Sequence, residues 1–216
     1  TSQAVLSCLK EYRMMSRKGI VFIGGGGHAV TCFDIVQNNS GYQLSGYIAL
    51  EKTKQLPLSG VPFLGCDDDL EAVVKKYQRF HVAIGQIASA IQRVAAFERL
   101  LALECEAVTL VSKNAYVSGL SELGAGALIG NKAVVNPNAK IGQNCIINSG
   151  AIIEHGAVIA DHCHVAPGAI ILGDASIGER SFIGAGAIIR EGIELASESM
   201  VPAGSRIMKG DHGYAK

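Results

Sequence analysis

From Val111 onward an aliphatic residue returns at every sixth position: Val111, Val117, Leu123, Ile129, Val135, Ile141, Ile147, Ile153, Ile159, Val165, Ile171, Ile177, Ile183, Ile189, Leu195, Val201 and Ile207. Two places earlier runs a lane of small residues, Thr109, Ala115, Ser121, Ala127, Ala133, Ala139, Cys145, Ala151, Ala157, Cys163, Ala169, Ala175, Ser181 and Ala187. A helix repeats every 3.6 residues and a hairpin strand every two, so neither holds such lanes over this length. A coil with flat faces and tight corners does: the branched residue points inward from a face, and the small one sits where the corner crowds it. Three hexads, roughly 18 residues, close one coil, and coils stack at the ~4.8 Å spacing of paired strands. Residues one coil apart then lie above one another. Residues 107–216 are therefore predicted to form a parallel β-helix.

The first half follows another rhythm. Gly19–Ile23 is an apolar run that enters Gly24-Gly25-Gly26-Gly27-His28, and a helical pattern follows from Ala29 to Gln37. A strand, a glycine turn and a helix N-terminus bring backbone N–H groups and the helix dipole to bear on an anion, most often a phosphate. Further on, Gly46–Glu51 reads as a strand, Asp67–Gln78 as a helix with an acidic start, His81–Gly85 as a strand and Ser89–Leu103 as a long helix. Alternating strands and helices predict a small α/β Rossmann-like domain over 19–106, with room for one nucleotide diphosphate near Gly24–His28 and Gly85-Gln86. A nicotinamide cofactor calls for an acidic residue at the end of the second strand. Only Glu51 is offered, and it comes late. Residues 1–18 read as a lead-in or linker.

Composition narrows the chemistry. The formal net charge is zero and no basic block is present, which removes the electrostatic footprint of nucleic-acid binding. No apolar stretch reaches the ~20 residues that span a bilayer, so no direct membrane insertion is expected and the chain reads as cytoplasmic. Six cysteines without a CxxC pair argue against a disulfide framework or a zinc knuckle. Cys145 and Cys163, one coil apart in the small lane, are expected to be neighbouring buried thiols and not nucleophiles.

His155, His162 and His164 crowd into one stretch of the β-helix. Neither His155 nor His164 falls in the inward lane, so both are expected at the surface or at a subunit seam. Gly173 stands one coil above His155, and Asn148 lies at the adjoining corner, which lets a base, a backbone donor and an amide converge. Histidines on such a coil could also bind zinc between subunits, in the manner of gamma-class carbonic anhydrases, although no metal is expected under the leading reading. A non-catalytic scaffold is the other alternative.

The segments Gly24–His28, His81-Val-Ala-Ile-Gly85 and Asn148–Gly168 together resemble the PglD/NeuD-type sugar acetyltransferases, and the likeness runs along nearly the whole chain after residue 18. The resemblance implies a left-handed β-helix, acetyl-CoA as co-substrate and a homotrimer. It implies His155 as general base, with Asn148 beside the thioester, the Gly173 N–H polarising the acetyl carbonyl, and Glu154 as a neighbour able to orient the imidazole. His164, Gly173, Ala185 and Gly186 would hold the coenzyme. Gly26, Gly27, His28, Gly85 and Gln86 would hold a UDP-amino-sugar. The best-matching members imply N-acetylation of the 4-amino group of a UDP-2-acetamido-4-amino-2,4,6-trideoxyhexose in bacterial glycan biosynthesis, with O-acetylation of a sialic acid or other sugar as the alternative.

Three departures from the family pattern bear on the site. The acid that often follows the catalytic histidine is Gly156 here, which leaves Glu154, Asp161 or a backbone carbonyl to set the imidazole. Ala49 and Leu50 stand where relatives carry acids at the end of the second strand. The family's closing signature is not seen in Met208–Lys216. The lead-in would suit an excised C-terminal domain of a PglB-type bifunctional protein.

Overall fold

The computed structural model describes residues 18–38, 41–52 and 58–208. The lead-in, apart from Lys18, and the closing segment with His212 lie outside them. The N-terminal sheet is built from β1 (Lys18–Ile23), β2 (Tyr42–Ile48), β3 (Phe63–Gly65), β4 (Arg79–Val82) and β5 (Glu106–Ala107), all parallel in the order β3-β2-β1-β4-β5. Between them run helices α1 (Gly27–Asn38), α2 (Leu70–Val74) and α3 (Ile91–Ala102). This order is that of a doubly wound sheet, whose ligands bind beyond the carboxyl ends of the strands. The loops after β1 and β4 lie at that edge.

The helix expected over Asp67–Gln78 is shorter than its sequence pattern suggested. A 3-10 turn occupies Asp67–Asp69, where the Asp69 carboxylate accepts the Cys66 N–H at 2.8 Å, and only Leu70–Val74 is α-helical. The β-branched pair Val73-Val74 has poor helix propensity, and the chain turns out at Lys76 and Tyr77, whose N–H groups both return to the Val73 carbonyl.

From Leu110 the chain winds into a left-handed parallel β-helix. Its two-residue strands pair parallel with strands one coil away, as Ile146 does with Leu128 below and His164 above. The inward lane and the small lane form one continuous core from Ala127 to Ile207, with Val111, Ala115, Val117 and Leu123 partly buried at its lower end. Cys145 and Cys163 lie inside it, wholly buried, each thiol 3.1 Å from a backbone carbonyl. Hydrogen bonding with Cys145, then burial, pushes the Cys163 thiol far up, and full burial shuts both thiols off from any reactant. Corners turn through left-handed residues six apart, among them Asn144, Gly150, Gly156, His162, Gly168 and Asp174.

Each face of the prism also has an outward lane, and the three differ. On one face Leu110, Leu128 and Ile146 are fully buried, because they share a core with Ile20, Phe22, Ile35 and Val36 of the α/β domain. Burial of this kind contributes about 1.5–3 kcal/mol for each large side chain. It fixes the N-terminal domain on this docked face. On the next, bare, face the lane is Tyr116, Val134, Ile152, Ile170 and Ile188, apolar yet partly or largely exposed, and it closes on the exposed Arg206. The third is mainly polar, with Glu122, Lys140, Ser176 and Glu194 around one exposed apolar residue, Val158.

Candidate active site

At the sheet edge the chain leaves β1 through Gly24, whose φ of +114° no side chain adopts cheaply and whose added Cβ would press on Ala83 at 3.0 Å. Gly26 and Gly27 are exposed, with open space where a Cβ would point, so a ligand can approach the backbone at the start of α1. His28 packs against the loop after β4, since a Cβ on Gly85 would meet that of His28 at 3.4 Å. The structure thus brings Gly26, Gly27, His28, Gly85 and Gln86 together. The His28 Nε2 and Gln86 Oε1 atoms are buried and have no hydrogen-bond partner among the described residues. Beside Gln86 opens a cleft of about 500 Å³, bounded by Ile91 and Glu98 of α3 and by Arg180 and Met200 of the coils. Glu51 is exposed beyond the end of β2, and Leu50 before it is 86% exposed.

His155 stands at the corner between the bare face and the polar face and is exposed. Its imidazole lies directly against Gly173 of the next coil: a Cβ there would sit 2.6 Å from Cε1 and 2.8 Å from Nε2. Only glycine leaves room for the ring. The Gly173 carbonyl accepts the Gly192 N–H, while its own N–H donates to no group among the described residues. An imidazole and a free backbone donor therefore share one spot.

The acids expected to orient this ring are engaged elsewhere. Glu154 accepts from the Asn136 amide at 3.0 Å, and Asp161 accepts from the Gln143 backbone and side chain, both at 2.9 Å. Gly156 occupies a left-handed corner directly beneath Asp174, and a Cβ at 156 would collide with the Asp174 carboxylate. A side chain at 156 would require the Asp174 carboxylate to move aside.

Two further expectations are corrected. His164 is neither at the surface nor in the open: it is 7% exposed, covered by the α/β domain, with Nδ1 on the Gln86 carbonyl and Nε2 3.1 Å from the Asn148 amide nitrogen. Asn148 is accordingly held by His164 and not by His155. Within one chain the bare face separates the two groups, with Asn148, Ala185 and Gly186 along one of its corners and His155 and Gly173 along the other. Ala185 and Gly186 are exposed there. His162 is buried as well, with its ring edge-on to Phe97 and Nδ1 3.0 Å from the Asn144 amide. The three histidines of the cluster thus point to three different places. No group of three or more His, Cys, Asp or Glu able to hold a metal occurs among the described residues.

Arg93 was not singled out by sequence reasoning, yet it organises the junction. Its guanidinium is wholly buried and donates to the carbonyls of Val82 at 2.5 Å, Ile84 at 2.8 Å and, across the domain boundary, Asn144 at 3.2 Å. The signal was legible: Arg93 shares the buried face of α3 with Phe97 and Leu100, four and seven residues on. Burial first, and then the Arg93 charge, hold His28 down at about 2 and His81 at about 3. These histidines are neutral in the folded protein.

Residues 19–95 match the PglD N-terminal domain family. Residues 120–155 and 138–173 match the six-repeat bacterial transferase hexapeptide, and 175–209 the hexapeptide repeat of succinyl-transferase. No curated protein matches the chain in sequence. Among solved structures, PerB from Caulobacter crescentus, in complex with CoA and GDP-perosamine, superposes with a TM-score of 0.81 at 28% identity, over 88% of this chain and 89% of that one. The acetyltransferase domain of PglB from Neisseria gonorrhoeae gives 0.77 at 26% identity, over 90% and 95%. WeeI from Acinetobacter baumannii shares the fold, at 0.67 and 23% identity over 87% and 94%.

The chain joins a PglD N-terminal domain to bacterial transferase hexapeptide repeats, and it shares its two-part fold with the sugar acetyltransferase PerB and the PglB acetyltransferase domain. No helix among the described residues is long and apolar enough to cross a membrane.

Proposed function

We propose that the protein transfers the acetyl group of acetyl-CoA to the 4-amino group of a UDP-linked 2-acetamido-4-amino-2,4,6-trideoxyhexose. The observation that carries this reading is the packing of the His155 imidazole against Gly173, an arrangement that pairs a proton acceptor with an unused backbone donor. The amine attacks the thioester carbonyl and forms the C–N bond, while His155 takes its proton, a role worth about 100- to 10,000-fold in rate. The Gly173 N–H faces the oxyanion, where a preorganised donor contributes about 3 kcal/mol. Collapse of the tetrahedral intermediate breaks the C–S bond, and the proton passes from His155 to the departing thiolate. The cysteines take no part.

The nucleotide portion of the acceptor sits on Gly26, Gly27, His28, Gly85 and Gln86, and the coenzyme runs along the corner of Ala185 and Gly186. Both corners of the bare face are needed at one centre, and the stripe of Val134, Ile152, Ile170 and Ile188 supports a way to join them. Packed around a three-fold axis, the bare faces bury the stripe and set one copy's Asn148 corner beside the next copy's His155 corner. Each isoleucine so covered adds ~1 kcal/mol. The assembly is a homotrimer with three sites, each completed by a neighbour.

The test is a thiol-release assay with acetyl-CoA against 4-amino sugars linked to UDP and to GDP, with mass spectrometry of the product. The expected result is CoA release with an acetyl group on nitrogen and a preference for UDP. Release with hydroxyl acceptors alone would replace this reading by O-acetylation, and no CoA release with any acceptor would overturn it.

A further inference from the structure

The His155 ring rests on Gly173 and is otherwise open, with neither nitrogen hydrogen-bonded among the described residues. An imidazole works as a base when a partner fixes its tautomer and its direction. Three carboxylates near this corner are already engaged. Glu154 is bonded to Asn136, Asp161 to Gln143, and Glu191, one coil above Gly173, to Arg190 at 3.1 Å. Asp174 is different: it is exposed, and its carboxylate has no partner among the described residues.

Two contacts bring Asp174 to the base. Its backbone N–H donates to the His155 carbonyl at 3.0 Å, so residue 174 is tied to the residue that carries the imidazole. Its carboxylate lies over Gly156, where an added Cβ would collide with Oδ1 and stand 3.2 Å from the carboxyl carbon. The carboxylate of the upper coil thus fills the space that a side chain following His155 would take. Both positions are left-handed, with φ of +68° at Gly156 and +57° at Asp174. Glycine adopts that region freely, and aspartate is among the few other residues that enter it. The corner therefore has room for one carboxylate, carried either by residue 174 or by residue 156.

We infer that Asp174 is the positioning residue for His155: reaching down from the next coil, its carboxylate holds the proton of the imidazole on Nδ1 and leaves Nε2 free to accept from the amine. The ring geometry agrees with these roles. A Cβ at Gly173 would lie 2.8 Å from Nε2 and 3.3 Å from Nδ1, so Nε2 is the nitrogen nearer the backbone donor. Nδ1 is the nitrogen nearer the main chain, on the side of Gly156 and the carboxylate above it. Once Nε2 has taken the amine proton, the ring is a cation, and the same carboxylate stabilises it without taking a proton itself. The inference rests on the acetyltransferase reading and deepens it.

The experiment moves the carboxylate from one coil to the other. Wild type, Asp174→Gly and the relocated pair Gly156→Asp with Asp174→Gly are compared for kcat, for KM of acetyl-CoA and for CoA affinity by calorimetry. Glycine suits the left-handed backbone at 174, and unaltered melting verifies the fold. Asp174→Gly is expected to lose roughly tenfold to a hundredfold in kcat, the scale of a misaimed reacting group, with KM and CoA affinity within about twofold. The relocated pair is expected to recover most of that loss, which a purely structural role for Asp174 would not allow. An unchanged kcat in Asp174→Gly, or a relocated pair as slow as Asp174→Gly, would overturn the inference. Independently of turnover, 15N correlation spectra are expected to show His155 with its proton on Nδ1 in the wild type and mainly on Nε2 in Asp174→Gly. The same tautomer in both proteins would also refute it. A wild type that releases no CoA would instead sink the acetyltransferase reading, and the spectra would still decide whether Asp174 holds the ring.

Discussion

The docked and bare faces of the β-helix share one inward lane and differ only in what they turn outward, and that difference decides the architecture. On the docked face Leu110, Leu128 and Ile146 vanish under the α/β domain, and His164 is buried with them. On the bare face Ile152, Ile170 and Ile188 are just as apolar but stay partly open, and the largest member at the lower end, Tyr116, is 56% exposed. An exposed apolar stack of this kind fits the proposed seam between copies, and His155 stands at its edge. The inward lane therefore builds the coil, while one outward lane takes the α/β domain and the bare one is the face proposed for a second copy.

The comparison breaks first on the bare face. Ile170→Asp places a charge in the proposed seam, where burial without a partner is costly. Light scattering is expected to show a monomer, with turnover down by about a hundredfold as the two corners separate. A trimer of normal activity would remove the bare face from the account. On the docked face, Ile146→Ala leaves a cavity in a fully buried site and is expected to cost about 2–5 kcal/mol by denaturant titration, while the trimer persists. Little change in stability would mean that the α/β domain does not pack there in solution.

Acid sharpens the contrast, because the junction at the docked face holds the buried histidines. His28, His81 and His164 lie at about 2, 3 and 4, below the ordinary 6.5, so the unfolded chain binds protons that the folded one refuses. The stability they contribute is full above pH ~6.5 and falls as the pH drops towards the folded values, by about 1.4 kcal/mol per pH unit for each. Melting temperature is expected to fall steadily from pH 7 to pH 5, and a flat profile would show that these groups are not buried neutral. The smallest effect belongs to the polar face. Lys140→Ala removes an exposed ion pair to Glu122 at 3.4 Å and should change stability by no more than ~0.5 kcal/mol, with assembly and activity intact.

The coil was legible from sequence because each rung repeats one constraint, so a lane of Ile and Val with a lane of Ala beside it leaves no other period. His155 beneath Gly173 followed from the same arithmetic. What was not legible came from surfaces that meet. Outward residues read as exposed, and His164 was placed with them, although Leu110, Leu128, Ile146, Phe182 and Met200 at the same register mark that lane as covered. Asn148 was read at the corner adjoining His155, and in the structure its amide lies on the His164 ring while the bare face separates it from His155 within one chain. The orientation of the base was sought in Glu154 and Asp161, whose carboxylates are spent on Asn136 and Gln143.

The central claim is that the imidazole under Gly173 is the base that accepts the amine proton. It is tested most directly by His155→Ala, measured for CoA release at saturating substrates alongside CoA binding by calorimetry. The account predicts kcat lower by about 100- to 10,000-fold with CoA affinity and melting temperature unchanged. Turnover within a few-fold of wild type would contradict it.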